Sequence, residues 1–186
     1  MGKRSKGFGD LLKQERSKAK DPTGAVPKLT VLNKKKDIEP YFESSCEEQE
    51  ERVGAIIGLD KDGEVPGVNP QTLAIYRSYL EKNLEFPCLV TGKEDFHWEE
   101  YYIIGPGSKK EHQRLRKKKP SYLDTYELLS FENRVQDEFY GLLVNVKRTS
   151  DKKKFDLPLS DLKTTSKETE NYKLLDDYSF WFVNWR

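Results

Sequence analysis

The sequence predicts an α+β domain with a small bent antiparallel sheet or SH3-like barrel, a preceding amphipathic helix and a disordered N-terminal arm. Three observations support this prediction. Short apolar and aromatic runs recur between turn residues in the C-terminal two thirds of the chain. Residues 70–83 have helical spacing, and the first 51 residues form two charge blocks. A chain of 186 residues is long enough for one domain with a sizeable core.

The N-terminal segment is divided by charge. Residues 1–36 contain 11 Lys and Arg against 3 acidic residues, and residues 37–51 contain 7 acidic residues and no Lys or Arg. Blocks of this kind bury little apolar surface. We therefore predict a charged, mostly disordered arm at residues 1–52 and a single globular α+β domain at 53–186. The alternative interpretation of the arm is a docking segment that orders on a protein partner through Phe8, Leu11 and Leu12.

The predicted helix begins with strong capping chemistry. Asn69 is a favourable N-cap, and Pro70 follows it at the first helical position. Leu73, Tyr76 and Leu80 recur at three- and four-residue spacing, so one face of this helix is predicted to be buried and its end to lie near residue 83.

The remaining elements follow from alternation and from turn residues. A short strand is predicted at 53–59, and a helical turn is predicted within the basic block 109–119. A second short helix is predicted at 167–175. The other predicted strands are 86–91, 98–104, 125–131, 140–147, 154–157 and 178–185.

Composition excludes several classes of function. Hydrophobic and charged residues each make up 35% of the chain, and 33 Lys and Arg oppose 32 Asp and Glu, so a net charge of +1 provides no field over the whole molecule to hold nucleic acid or membrane. Cys46 and Cys88 are too few for a disulfide scaffold or a thiolate metal site, which favours a reducing, cytoplasmic location. No apolar run is long enough for a membrane span. No nucleophile elbow, zinc spacing or phosphate loop is present, so we predict a protein that is not an enzyme.

The second basic block is a candidate nucleic-acid surface. Lysine contacts to phosphate, with aromatic side chains nearby, are typical of single-strand binders. A solvated helix face is the simpler interpretation of the same residues. The candidate residues are Lys109, Lys110, Arg114, Arg116, Lys117, Lys118 and Lys119.

Acidic residues in loops and at strand ends are candidate ligands for a hard cation, because calcium takes oxygen ligands from such positions. Asp176 and Asp177 form the most distinctive pair, since adjacent carboxylates require solvent, a lysine or a cation to offset their repulsion. The whole acidic set is Asp95, Glu99, Glu100, Glu132, Asp137, Glu138, Asp151, Asp156, Asp161, Asp176 and Asp177.

Four short segments carry a family resemblance. They read LEFPC at 84–88, GLLVNV at 141–146, FDLPLSDL at 155–162 and LDDYSFW at 175–181. Together they resemble the CcbP-like small bacterial calcium-binding proteins over about 84–185. Asp177 and Trp181 match the closing motif of that family, Tyr178 stands where the family has tryptophan, and Asp137 and Glu138 lie at the place of its acidic loop.

The resemblance implies a cytosolic calcium-binding or calcium-responsive protein that is not an enzyme. Its metal ligands are predicted to be Asp177, Asp176, Asp137 and Glu138, with calcium as the cofactor. The alternative is an interaction module on a small β-barrel, in which the basic segments bind a protein or, less readily, nucleic acid. Fold alone does not separate these functions, because small barrels serve both.

Overall fold

The computed structural model describes residues 44–132 and 138–186. The predicted arm up to residue 43, including its docking face, and Asp137 lie outside the described residues. Residues 44–52, which the sequence assigned to the arm, contain the start of the first helix. The helices are α1 (Cys46–Ile57), α2 (Pro70–Asn83), α3 (His97–Ile103), α4 (Lys109–Arg116) and α5 (Glu170–Asn184). The strands are β1 (Cys88–Gly92), β2 (Thr125–Phe131), β3 (Leu143–Arg148), β4 (Lys154–Pro158) and β5 (Leu162–Thr164).

The five strands form one antiparallel sheet in the order β4-β3-β2-β1-β5. Side chains alternate between buried and half-buried along β3, as expected for a sheet with one face on the core. The predicted α+β class and the predicted strand at 125–131 are confirmed. Because β4 and β5 are the two edges of this sheet in the described residues, the structure does not confirm an SH3-like barrel.

The predicted amphipathic helix is confirmed as α2. The Asn69 side chain accepts hydrogen bonds from the backbone amides of Gln71 and Thr72, at 2.9 and 3.0 Å. Leu73, Tyr76 and Leu80 are fully buried. The helix ends at Asn83, before Pro87, as its caps and spacing predict.

The predicted strand at 53–59 is wrong, because residues 53–57 are the last part of helix α1 and Gly58 is its C-cap. Ser45 and Glu48 form a reciprocal capping box, with the Glu48 amide donating to Ser45 Oγ at 3.2 Å. Gln49, Val53 and Ile57 are then buried at helical spacing. Assigning residues up to 52 to the arm divided this pattern and left only its apolar end visible.

The predicted strands at 98–104 and 178–185 are also wrong. The first is helix α3, and the second is part of α5, which begins after Thr169 and extends well beyond the short helix predicted at 167–175. In α5 the sequence is rich in large apolar residues, so alternation and helical spacing both fit it. The helix forms because Leu175, Tyr178 and Phe182 then share one buried face.

The core centres on aromatic side chains from α2 and α5. Tyr76 stacks on Trp181 with ring centroids 5.1 Å apart, and the Trp181 indole donates to the Pro66 carbonyl at 3.0 Å. The Tyr178 hydroxyl accepts from the Leu142 amide at 2.8 Å. Gly141 next to it has φ +63°, and a Cβ there would lie under 3 Å from both Tyr178 and Phe182. This turn therefore requires glycine.

None of the helices in the described part of the chain has the length and apolarity of a membrane span.

Candidate functional site

Asp177 lies in a buried ion pair between α5 and α1. Its Oδ2 accepts from Arg52 Nε at 2.7 Å and its Oδ1 accepts from Arg52 Nη2 at 2.6 Å. Gln49 Nε2 donates to Oδ1 at 3.4 Å. Asp177 is 4% exposed, so both oxygens of this predicted metal ligand are engaged by the protein itself. The pair fixes the position of α1 on α5.

Asp176 points in a different direction from its neighbour and lines an open cleft. Lys93 Nζ lies 3.1 Å from Asp176 Oδ1, and Gln49 Nε2 donates to Oδ2 at 3.2 Å. Glu138 is exposed and does not line this cleft.

The cleft lies between the connection from β1 to α3, the turn before β5 and the C-terminal half of α5. Its volume is about 740 Å³. Five carboxylates and two cationic side chains line it, so it has an excess of negative charge. The charged lining residues are Lys93, Glu94, Asp95, Glu100, Asp161, Asp176 and Arg186.

Hydrogen bonds from Lys93 and Ser179 hold the walls of the cleft together. The Lys93 amide donates to the Asp161 carbonyl at 2.8 Å, and Lys93 Nζ donates to Ser179 Oγ at 3.0 Å. Ser179 Oγ in turn donates to the Ser160 carbonyl at 2.9 Å. The walls are therefore positioned by α5 and by the edge of the sheet rather than by free loops.

The carboxylates of the cleft differ in how well they are paired. Asp176 pairs with Lys93, and Glu100 lies 3.2 Å from His97 Nδ1. Within the described residues, Glu94 and Asp95 have no ion pair. Partial burial raises the pKa of Asp161, and the nearby charge of Glu94 raises it further, although Ser160 and Arg186 oppose this shift. The excess of carboxylates over cations in the cleft follows from its lining residues, and burial is the largest cause of the raised pKa of Asp161.

The fit of a calcium ion to these residues can be judged from their donor atoms. Carboxylate oxygens are the ligands that calcium prefers, and the cleft supplies five carboxyl groups from three segments. No three His, Cys, Asp or Glu side chains within residues 44–132 and 138–186 are close enough to form a ready-made metal site. The donor chemistry fits calcium, but the described residues do not gather these carboxylates into a preassembled set of ligands.

Buried Glu99 was counted among the candidate cation ligands, but it is bonded inside the protein. Its carboxylate accepts from Ser121 Oγ at 2.7 Å and from the Tyr122 amide at 2.9 Å, and it lies 2.9 Å from His112 Nε2. His112 stacks on Tyr102 with an interplanar angle of 7°. This network joins α3, α4 and the segment before β2, so its role in the described structure is structural.

The basic block forms α4 and the turn that follows it. Arg116 pairs with Asp124 at 3.0 Å, and the Lys119 ammonium lies over the Trp98 ring. Arg114 lies 3.5 Å from Glu111. The other four, Lys109, Lys110, Lys117 and Lys118, are exposed and make no ion pair with the described part of the chain. The predicted patch therefore exists with four free cations rather than seven.

Sequence reasoning found Asp95, Glu100, Asp161 and Asp176 as separate acidic residues but not as one site, and it missed Glu94. No local pattern joins residues from the β1–α3 connection, the turn before β5 and α5. The Arg52 partner of Asp177 was also missed, because it belonged to the predicted arm. The capping box at Ser45 is the signal that indicates a packed helix there.

Comparison with known proteins gives similarity to solved structures only. No family model and no curated protein sequence matches the chain. The crystal structure of Anabaena CcbP has 18% identity and a TM-score of 0.47, covering 76% of this chain and 94% of that chain. A structure described as a calcium-binding protein in the calcium-binding form has 20% identity and a TM-score of 0.46, covering 74% of this chain and 90% of that chain.

The predicted resemblance to CcbP-like proteins is confirmed in that CcbP is among these neighbours. Calcium binding is stated of the second neighbour and not of this chain. TM-scores below 0.5 at this identity are too low to transfer any residue role. What the protein binds must therefore be inferred from its own cleft, surfaces and charges.

Proposed function

We propose that the protein is a cytosolic calcium-binding protein, without enzymatic activity, whose calcium site is the cleft beside Asp176. The observation that carries the proposal is the excess of carboxylates over cations in one concave surface. The raised pKa of Asp161 supports it, because a carboxylate that is disfavoured as an anion is stabilised by an added cation. The name printed for the second structural neighbour is compatible with this function.

The residues that would hold the ion are Asp95, Asp161 and Asp176, with Glu94 and Glu100 at the rim. These side chains supply hard oxygen ligands, and water would complete the coordination. Calcium bound in this way supplies positive charge that neutralises the cleft. Because few ligands are gathered in advance, we expect a dissociation constant of about 10⁻⁴ to 10⁻³ M. Asp177, Asp137 and Glu138 remain calcium ligands predicted from the sequence, and calcium titration tests them as well.

Calorimetric titration with calcium chloride tests the proposal. Full-length protein should bind calcium with measurable heat and with a rise in melting temperature, since a ligand of the native state stabilises it. The variant Asp95→Asn/Asp161→Asn should lose most of both signals. Neither heat nor a shift at millimolar calcium in the unmodified protein would overturn the proposal.

A matched control removes the same charge elsewhere. The variant Asp62→Asn/Glu168→Gln loses two exposed carboxylates that line no part of the cleft. It should retain the calcium response of the unmodified protein. If both double variants lose the response equally, the binding reflects total charge and not the cleft.

The free lysines of α4 and of the turn that follows it favour polyanion binding as a second candidate function. Each lysine–phosphate contact releases counterions, so binding should weaken steeply as salt rises. The variant Lys117→Glu/Lys118→Glu should lose salt-dependent retention on single-stranded or duplex DNA, and the control Lys61→Glu/Lys163→Glu should keep it. Absence of retention by the unmodified protein would rule this candidate out.

A further inference from the structure

The outer face of α1 carries a row of glutamates beside an apolar groove. Glu47, Glu50 and Glu51 are exposed and lie on one side of the helix, at spacings of three and four residues. The groove between this face and the following loop has a volume of about 440 Å³. Its lining residues are Glu47, Glu50, Glu51, Leu59, Gly63, Glu64, Val65 and Trp185.

The floor of this groove is apolar and already formed. Leu59 is 59% exposed, and Val65 and Trp185 are half-buried beside it. Gly54 allows Leu59 to lie close to the helix, because a Cβ at residue 54 would be 2.7 Å from Leu59 Cδ2. Trp185 lines the groove and packs edge-to-face against Phe180, with ring centroids 5.4 Å apart.

The loop that forms the second wall is held by its own hydrogen bonds. Asp60 Oδ1 accepts from the amides of Asp62 at 2.9 Å and Glu64 at 3.0 Å. The Asp60 amide donates to the Glu64 carbonyl at 2.9 Å. The groove is therefore a feature of the folded domain and does not need a partner to create it.

Helix stability does not explain the charges on the rim. Glu47 lies in the first turn, where the helix dipole favours an acid, and hydrogen bonds from its own amide and from Ser45 lower its pKa. Glu50 and Glu51 lie beyond that turn, and like charges at this spacing repel. Glu64 adds a fourth carboxylate across the groove. Among the described residues, no lysine, arginine or histidine lines the groove to balance them.

We propose that this groove docks a basic amphipathic segment of a partner protein. The segment would place an apolar side chain on Leu59 and Trp185 and would place lysines or arginines against the four glutamates. Charge complementarity selects this occupant: an acidic segment or a nucleic acid would be repelled, and a neutral apolar segment would leave the glutamates unpaired. The site is separate from the calcium cleft, with which it shares no lining residue.

A synthetic lysine–leucine peptide with leucines at helical spacing is the probe. We expect the full-length protein to bind it, measured by fluorescence anisotropy, and to bind a lysine–alanine peptide of equal charge at least about tenfold more weakly. The variant Glu50→Gln/Glu64→Gln should weaken binding by about tenfold, whereas Asp95→Asn/Asp161→Asn in the cleft should change it little.

A matched pair of variants tests the apolar contact in the groove. Leu59→Ser should weaken binding of the lysine–leucine peptide severalfold. Leu123→Ser changes a side chain of similar exposure (57%) outside the groove and should leave peptide binding unchanged. Equal weakening by the groove and cleft variants, or no effect of Leu59→Ser, would overturn the proposal. It would also be overturned if Glu50→Gln/Glu64→Gln abolished calcium binding without affecting the peptide, because the groove would then be a cation site.

Discussion

The two faces of α5 place adjacent carboxylates in opposite environments. On the face toward α1, Asp177 is buried and both of its oxygens are paired with Arg52. On the face toward the cleft, Asp176 meets Lys93 at the edge of a surface where Glu94, Asp95 and Asp161 have too few cations. The comparison shows that the partner of a carboxylate, and not its neighbour in sequence, decides whether it stabilises the fold or is available to a ligand.

The apolar residues of α5 are divided in the same way. Trp181 is fully buried and stacks on Tyr76, whereas Val183 is 64% exposed on the cleft side. The buried face therefore holds most of the stability of this helix, and the cleft face can be altered without unfolding the domain.

Truncating the buried face should have the largest effect. Trp181→Ala should lower the free energy of unfolding by about 3–5 kcal/mol, because it opens a cavity against Tyr76 and leaves the Pro66 carbonyl without its donor. Urea unfolding followed by circular dichroism measures this loss. Val183→Ala, the control on the cleft face, should change stability by less than about 0.5 kcal/mol. Similar losses in the two variants would contradict the division.

Removing the buried charge should have the next largest effect. Asp177→Asn removes the bidentate ion pair with the Arg52 guanidinium. We expect the free energy of unfolding to fall by about 2–3 kcal/mol, which is below the usual range for a buried pair because Arg52 is a quarter exposed. Asp176→Asn should lose less than about 1 kcal/mol, since its pair with Lys93 is solvated. Thermal and urea unfolding without calcium give both values.

Repeating these two measurements with calcium separates the two interpretations of Asp177. The cleft proposal expects the calcium-induced rise in melting temperature to survive in Asp177→Asn and to fall in Asp176→Asn. The sequence-based interpretation, in which Asp177 and Asp176 are both ligands, expects the rise to fall in both variants. Loss of the calcium response in a folded Asp177→Asn variant would move the site away from the cleft.

The smallest effect should come from the pH dependence of Asp161. A carboxyl group with a raised pKa binds more protons in the folded state, so stability falls as the pH rises from about 4 through the raised pKa. Asp161→Asn removes this decline. Because solvent screens this partly exposed group, the free energy of unfolding of Asp161→Asn should exceed that of the wild type at neutral pH by less than about 0.5 kcal/mol.

Unfolding free energies of the wild type and Asp161→Asn between pH 4 and 7 measure that difference. The control Glu168→Gln should follow the wild-type slope, because it removes an exposed carboxylate outside the cleft. A steeper decline in Asp161→Asn than in the wild type would contradict the assigned direction of the pKa shift.

Elements with local signals could be predicted from the sequence alone. The cap at Asn69 and Pro70, the spacing of Leu73 and Tyr76, and the alternation along β2 each involve residues within a few positions of one another, so α2 and β2 were predicted correctly. These signals act on the backbone before any long-range contact forms.

Long-range packing determined the identity of α3 and α5 and brought together the residues of the sites, whereas α1 has a local signal in its capping box. In α5 the large apolar residues fit two periods, and packing of Trp181 on Tyr76 selects the helix. The cleft joins Glu94, Asp161 and Asp176, which are far apart in the chain. Arg52 of α1 pairs with Asp177 of α5. A carboxylate carries the same charge wherever it lies, so its role depends on which cation the fold places beside it.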